Sequence, residues 1–307
     1  MIHTRDTLKI NEKGHLEIGG ADCVALAEQF STPLYVFDEA YIRRMMRIYQ
    51  DTINTEYQGK GLVLSGGELY TALRAGFPAD KITMHGNNKL PYEIEQALDA
   101  RIGMIVVDSH SEADFIEREA EKRGIVQNVL IRINPGVEAH THAYVQTATP
   151  DSKFGFSVAN GAAEEMTGYV LSKPHLRLHG YHCHIGSQIF EKQSFVLAVR
   201  KNLAFMAEMK AKLGFEADSL NMGGGFGIWY AEGDAMIDVD GYADYLRALI
   251  STVKEGCAEL SLRLPYLYLE PGRSIVGEAG ITLYTVGAIK EIPGIRKYIA
   301  IDGGMFD

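Results

Sequence analysis

The sequence predicts an α/β protein built on a parallel (β/α)8 barrel, with a second, β-rich domain that is incomplete. Three observations predict it. Short runs rich in Val, Ile, Leu and Tyr alternate with longer stretches whose apolar residues recur three and four apart, the pattern of strands covered by amphipathic helices. One such run ends in three glycines, SLNMGGGFGIWY over Ser219 to Tyr230, where bare backbone N–H groups can approach an anion closely. The next run ends in an acid, a turn and a guanidinium, YLYLEPGR over Tyr266 to Arg273. A barrel gathers polar chemistry at the C-terminal ends of its strands, and its last two strands frequently hold a phosphate.

Taken in order, residues 1 to 36 contain short strands at His15 to Ile18 and from Pro33 onward to Phe37, before a helix from about Glu39 to Ile53. The barrel, residues 37 to 272, offers strands at Gly61 to Leu64, Lys81 to His85, Met104 to Asp108, Asn128 to Asn134, Leu178 to Ile185, Ser219 to Met222 and Tyr266 to Glu270. Helices are expected at Pro91 to Leu98, Ser111 to Arg123, Phe195 to Leu213 and Tyr242 to Glu259, from their three-and-four apolar spacing. Beyond Arg273, Ile281 to Ile292 and Lys297 to Asp302 read as strands about the turn Pro293-Gly294. With residues 1 to 36, the segment 273 to 307 makes the partial β domain, which has too few strands to close a sheet of its own.

The strand count exposes an anomaly. Leu62 to Leu64 runs directly into SGGELYTALRAGF, a turn and a helix, although parallel neighbours need a crossover of roughly a dozen residues. One β/α unit is therefore expected to be lacking between 64 and 65.

Composition narrows the function classes. The 307 residues are 46% hydrophobic and 23% charged, ordinary values for a chain able to bury a full core. The formal charge of −10, with no basic block, argues against a nucleic-acid partner. Cys23, Cys183 and Cys257 lie far apart with no C-x-x-C pair, which points to a reducing compartment and no cysteine metal site. The opening residues MIHTRDTLKINEKGH lack an apolar core, and no run approaches the ~20 apolar residues of a membrane span. A cytoplasmic protein with no membrane partner is the expectation.

Each chemical motif has a plain reading beside its functional one. Gly223, Gly224, Gly225 and Gly227 do not match G-x-G-x-x-G, which disfavours a dinucleotide. They form either a tight turn or, after the sixth of these strands (the seventh once the lacking unit is counted), a phosphate cup. Glu270 to Arg273 is either a rim ion pair or an acid placed to hold a proton on the ring nitrogen of a bound heterocycle such as pyridoxal phosphate. In LHGYHCHIGSQ, strand alternation puts His182 and His184 on one face. A metal site, buried satisfied histidines and a histidine stacked on a flat cofactor remain open readings. Ser187, past that strand, can donate a hydroxyl to the same phosphate.

The motifs SGGELYTALRAGF, HGNNK, IRINPGVEAHTH, DSKFGF, HCHIGSQIF, NMGGGFG, EPGR and DGGM occur in this order over almost the whole chain. Together they resemble the diaminopimelate decarboxylase family, within the alanine-racemase-fold decarboxylases that use pyridoxal 5'-phosphate (PLP). EPGR and GGGFG are shared with ornithine and arginine decarboxylases, whereas HIGSQIF with HGNNK is closer to the diaminopimelate branch. The resemblance implies PLP as cofactor, an amino-acid substrate, conversion of meso-2,6-diaminopimelate to L-lysine and CO2 as the last step of lysine biosynthesis, and a homodimer whose sites borrow groups from the partner's β domain. It implies that Ser187, Gly223, Gly224, Gly225 and the turn Pro271, Gly272 and Arg273 hold the cofactor phosphate. His184 is implied to stack on the pyridine ring, and Glu270 to pair with the pyridinium nitrogen. Arg273 would take a substrate carboxylate, and Arg132 would line the barrel mouth and help fix Glu270 or the ring.

The departures from the family are equally specific. Its Schiff-base lysine lies just past the first barrel strand, and no residue here matches it. Lys60 precedes its strand, while Lys89 and Lys153 belong to other motifs. The segment with the family's proton-donor cysteine is also not present. A chain without that lysine is expected to be inert, and the absent β/α unit is the one that would carry it. Related decarboxylases acting on ornithine, arginine, lysine or carboxynorspermidine, and a non-catalytic PLP-barrel homologue, are the alternatives. A phosphosugar-binding barrel would leave Glu270 and His184 without a task.

Overall fold

The computed structural model describes residues 7–63, 69–137, 152–230, 233 and 235–304. Its elements are β1 (Leu8–Ile10), β2 (Leu16–Ile18), β3 (Ala21–Asp22), α1 (Cys23–Phe30), β4 (Leu34–Phe37), α2 (Glu39–Glu56), β5 (Gly61–Val63), α3 (Leu69–Arg74), β6 (Thr83–Met84), α4 (Pro91–Asp99), β7 (Met104–Val107) and α5 (His110–Lys122). They continue with β8 (Gln127–Asn134), β9 (Phe156–Ser157), α6 (Ala162–Leu171), β10 (Leu176–His182), α7 (Lys192–Leu213), β11 (Ser219–Asn221), α8 (Val239–Glu259), β12 (Tyr266–Leu269), α9 (Gly272–Val276), β13 (Gly280–Leu283), β14 (Val286–Ile292) and β15 (Arg296–Ile301). The chain divides into two compact units, Met1–Arg47 with Ser274–Asp307, and Ile48–Arg273.

The first unit is antiparallel. β1, β2 and β3 form a meander, β4 pairs with β13, and β14 with β15. Asp22 caps α1 by accepting from the backbone N–H of Val24 and Ala25, which satisfies two donors that the first helical turn leaves open. The single strand expected over Ile281 to Ile292 is two strands. The chain changes partner at Tyr284 and Thr285, where Asp302 accepts from Thr285 N–H at 2.8 Å and donates its own N–H back to Thr285 O at 3.1 Å. Apolar pattern reads continuously through such a break because both strands are β-branched-rich, so partner exchange leaves no mark in it.

The second unit is an α/β fold on a curled parallel sheet ordered β5-β12-β11-β10-β8-β7-β6, with β9 paired to β8 off this path. All of these pairings are parallel. Helix-covered parallel strands are apolar on both faces, and β7, MIVV, is buried at every position. Met104, Val106 and Leu130 pack together there. Helix α5 starts where Ser109 accepts from Glu112 N–H at 3.2 Å, and α7 ends at Gly214 in the left-handed conformation, the common start and stop signals.

β5 and β6 are consecutive in the chain yet do not pair, and they stand at the two ends of the strand order. Leu64 and Ser65, between which the extra unit was expected, lie outside the described residues. Among the described residues no helix is long and apolar enough to cross a membrane.

Candidate active site

The parallel sheet sends the chain in one direction through every strand, so the segments after β6, β7, β8, β10, β11 and β12 emerge at one end. Glu270 follows β12 directly. Its side chain is only 9% exposed, yet Oε1 accepts from Asn221 Nδ2 at 2.9 Å and Oε2 faces His182 Nε2 at 3.3 Å. His85 Nε2, from the segment after β6, stands 3.5 Å from the same oxygen. Burial alone would raise the Glu270 pKa, but the His182 imidazole, the nearby His85 and the Asn221 amide hold it well below the ordinary carboxylate range. It is a buried anion supplied with donors.

His182 is fully buried, and burial drives its pKa down, so the neutral ring donates from Nε2 and leaves Nδ1 unprotonated. That Nδ1 has no hydrogen-bond partner among the described residues. His85 stacks on His182 with ring centroids 5.6 Å apart. The strand ends at His182, so His184 is not on the strand face that alternation suggested. It lies in the following loop, where Gly224 N–H donates to its Nδ1 at 3.3 Å. Burial, with the nearby His182 and Arg132, brings the His184 pKa down to about 4, leaving a neutral flat ring. Among the described residues no group of three His, Cys, Asp or Glu is placed to hold a metal ion.

The glycine run lies between two neighbouring segments. A Cβ on Gly224 would stand 2.0 Å from Glu270 O, and one on Gly225 2.1 Å from Gly186 O. No side chain fits there, and Gly225 also has φ of +96°, a conformation that only glycine adopts without strain. Ile189 N–H donates to Gly225 O at 2.9 Å and Gly227 N–H to Ile189 O at 3.0 Å. The segments after β10, β11 and β12 therefore meet backbone to backbone, and Ser187 stands half-buried beside Gly186 at this seam.

The remaining expected residues are placed less centrally. Pro271 is buried, and Gly272 N–H is bonded to Glu270 O at 2.9 Å. The Arg273 side chain is exposed, its guanidinium 5.9 Å from the Tyr230 ring centroid. Arg132, on β8, is buried over Phe154 at 4.3 Å and stands 3.9 Å from Asp108 Oδ2, so the carboxylate it pairs with is Asp108. Sequence reasoning passed over His85 and Asn221, although both lie in quoted motifs, HGNNK and NMGGGFG. The signal for Asn221 was a polar residue at the last position of a buried strand.

The imidazoles of His182 and His184 make stability depend on pH. In the unfolded chain a histidine protonates near 6.5, whereas folded His184 stays neutral down to about 4. Across that window the unfolded state binds more protons, so the contribution is complete above about 6.5 and is lost as pH falls toward 4. The urea midpoint is expected to drop between pH 7 and pH 5, and His184→Asn is expected to flatten that slope. Equal slopes in the two proteins would place the titration elsewhere.

Comparison with known proteins supplies the family. The family model for the pyridoxal-dependent decarboxylase, pyridoxal binding domain, matches residues 55–277. Diaminopimelate decarboxylase of Bacillus methanolicus is 45% identical over 330 aligned residues, spanning 100% of this chain and 76% of that protein. The enzyme of Mycobacterium tuberculosis is 38% identical, spanning 100% and 74%. An alignment of 330 positions is longer than the 307-residue chain, so the Bacillus protein carries residues inside the matched stretch that have no counterpart here. Among solved structures, diaminopimelate decarboxylase of M. jannaschii in complex with L-lysine superposes with a TM-score of 0.86 at 35% identity, covering 98% of this chain and 74% of that one. The Helicobacter pylori enzyme complexed with L-lysine gives 0.76 at 28% identity, covering 92% and 73%. The chain belongs to the pyridoxal-dependent decarboxylases and, among them, to the diaminopimelate decarboxylase family.

Proposed function

We propose that this chain carries the PLP site of an enzyme that converts meso-2,6-diaminopimelate to L-lysine and CO2. The observation that carries the reading is the buried, donor-supplied Glu270 carboxylate beside the glycine seam. An anion kept in a site that excludes water calls for a cationic partner, and a protonated pyridine nitrogen is one. The seam also fits the phosphate, because no Cβ can intrude and the Ser187 hydroxyl has no hydrogen-bond partner among the described residues.

When bound, PLP supplies the electron sink that lets an α-carboxylate leave as CO2. The chain's own residues do the rest. Glu270 holds the proton on the ring nitrogen. His184, neutral at working pH, offers a flat face to the ring without adding a competing positive charge. Gly223 to Gly225 and Ser187 bind phosphate oxygens, with Gly272 and Arg273 at the neighbouring turn, and the exposed Arg273 guanidinium suits a substrate carboxylate. Arg132, held by Asp108 and Phe154, adds positive charge at the mouth.

Glu270→Gln in a form that turns over is expected to leave folding intact and to lower kcat by about 100-fold or more, since an amide does not favour a protonated ring nitrogen. An unchanged kcat would make Glu270 a rim acid. CO2 release from meso-diaminopimelate well above that from ornithine, arginine or lysine is the expected specificity, and the reverse order would move the chain to a related decarboxylase.

We also propose that the curled sheet belongs to a (β/α)8 barrel, and that the unit supplying its Schiff-base lysine belongs between Leu64 and Ser65. Three facts support this. Among the described residues β5 and β6, the strands that would flank it, do not pair. Cavities of about 500 Å3 and 420 Å3 both lie along β6. The Bacillus relative has unmatched residues within the aligned stretch. The absence of a lysine just past β5 equally favours a non-catalytic homologue. Intact-mass spectrometry separates the two: a polypeptide of 33.9 kDa favours the homologue, and a heavier one with a lysine-containing insertion after Leu64 favours the enzyme.

The complete enzyme is further proposed to be a cytoplasmic homodimer, with residues 1–36 and 273–307 as part of its β domain. Sedimentation at twice the monomer mass is the expected result. Full activity from a monomer at high dilution would contradict it.

A further inference from the structure

Gln188 stands out because it combines an uncommon backbone with a side chain that makes two bonds to one residue. Its φ is +61°, the left-handed region that favours glycine and costs a glutamine conformational energy. From there its Nε2 donates to Ile228 O at 2.7 Å and its Oε1 accepts from Ile228 N–H at 3.0 Å. The side-chain amide pairs with the Ile228 backbone as a neighbouring strand would. Next to it, Ile189 bonds Gly225 O and Gly227 N–H. The segment after β10 is thus fastened to the segment after β11 at two successive residues, on either side of Phe226.

We propose that Gln188 is a positioning residue for the phosphate of the cofactor, resting on the phosphate reading of Ser187 and Gly225 given above. Ser187 precedes Gln188, and Gly186 O lies against Gly225 with no room for a Cβ. The four bonds at Gln188 and Ile189 therefore set the spacing between the Ser187 hydroxyl and the glycine backbone, the two groups that must reach one phosphate together. A left-handed residue that served only to turn the chain would be better as glycine. The retained glutamine makes sense if its amide, rather than its backbone, is what the site needs.

The test compares PLP with pyridoxal, which lacks the phosphate, as ligands of the 307-residue chain. Trp229 is the sole tryptophan and follows Ile228, so its fluorescence reports binding at this seam without any need for turnover. The unchanged chain is expected to bind PLP more tightly than pyridoxal. Gln188→Gly relieves the backbone and removes the amide. It is expected to reduce the PLP-over-pyridoxal preference about tenfold, on the scale of one or two lost hydrogen bonds, with a melting temperature equal to or above that of the parent. Gln188→Glu keeps the shape and the acceptor but loses the donor to Ile228 O, and is expected to fall between the two. A preference in the parent that persists in both variants would overturn the role of Gln188 while leaving the phosphate reading intact. A parent with no preference would overturn the phosphate reading, and the inference with it.

Discussion

The Glu270 carboxylate is the constraint around which this molecule is arranged. A buried charge is tolerated only when donors replace the water it has lost, and here the donors come from different places in the chain. Asn221 reaches it from the end of β11 and His182 from the end of β10, and the His85 ring, from beyond β6, stands 3.5 Å from the same oxygen. Each strand end is therefore obliged to present a polar residue at a position that packing would otherwise make apolar. His182 has to be neutral to donate without displacing the charge balance, and its complete burial provides that. The same burial explains why His184 is also neutral and does not compete for Glu270.

The second constraint is distance. The loops approach so closely that a Cβ added at Gly224 or Gly225 would stand 2.0 or 2.1 Å from a carbonyl oxygen of the facing segment, so the glycines are required by sterics before any ligand is considered. The hydrogen bonds from Ile189 and Gln188 then hold the loops in the register that the glycines permit. Sterics and hydrogen bonding thus prepare the same surface, which lowers the ordering that a ligand would have to impose on arrival.

Much of this was legible in the sequence because it depends on local pattern. The strands at Met104, Asn128, Ser219 and Tyr266 begin or end within about a residue or two of expectation, since buried parallel strands are short continuous apolar runs. Glu270 and the glycines were found because strand ends followed by turns are conspicuous. What was not legible depends on partners distant in sequence. The end of β10 at His182 is set by pairing with β8 and β11, so alternation carried the strand too far and put His184 on the wrong element. Arg132 is expected at the mouth, helping to fix Glu270 or the ring, but its ion pair with Asp108 joins residues far apart in sequence and no spacing encodes it. Helix α6 was missed since Gly168 interrupts a short apolar pattern.

Lys89 shows why the reactive amine has to come from elsewhere. Its side chain is 2% exposed, and Nζ is bonded both to Glu112 and to Gly86 O. Glu112 in turn accepts from Asp108 N–H at 3.0 Å, and Asp108 accepts from Gly155 N–H at 2.6 Å while facing Arg132. Burial lowers the Lys89 pKa, but Glu112 opposes it, and taking Lys89 away would leave Glu112 as a buried anion without its cation. A nucleophilic lysine needs the opposite conditions: a free amine, no fixed carboxylate partner, and room to swing toward a carbonyl. Lys89 is therefore a structural cation that ties the segments after β6, β7 and β8 together.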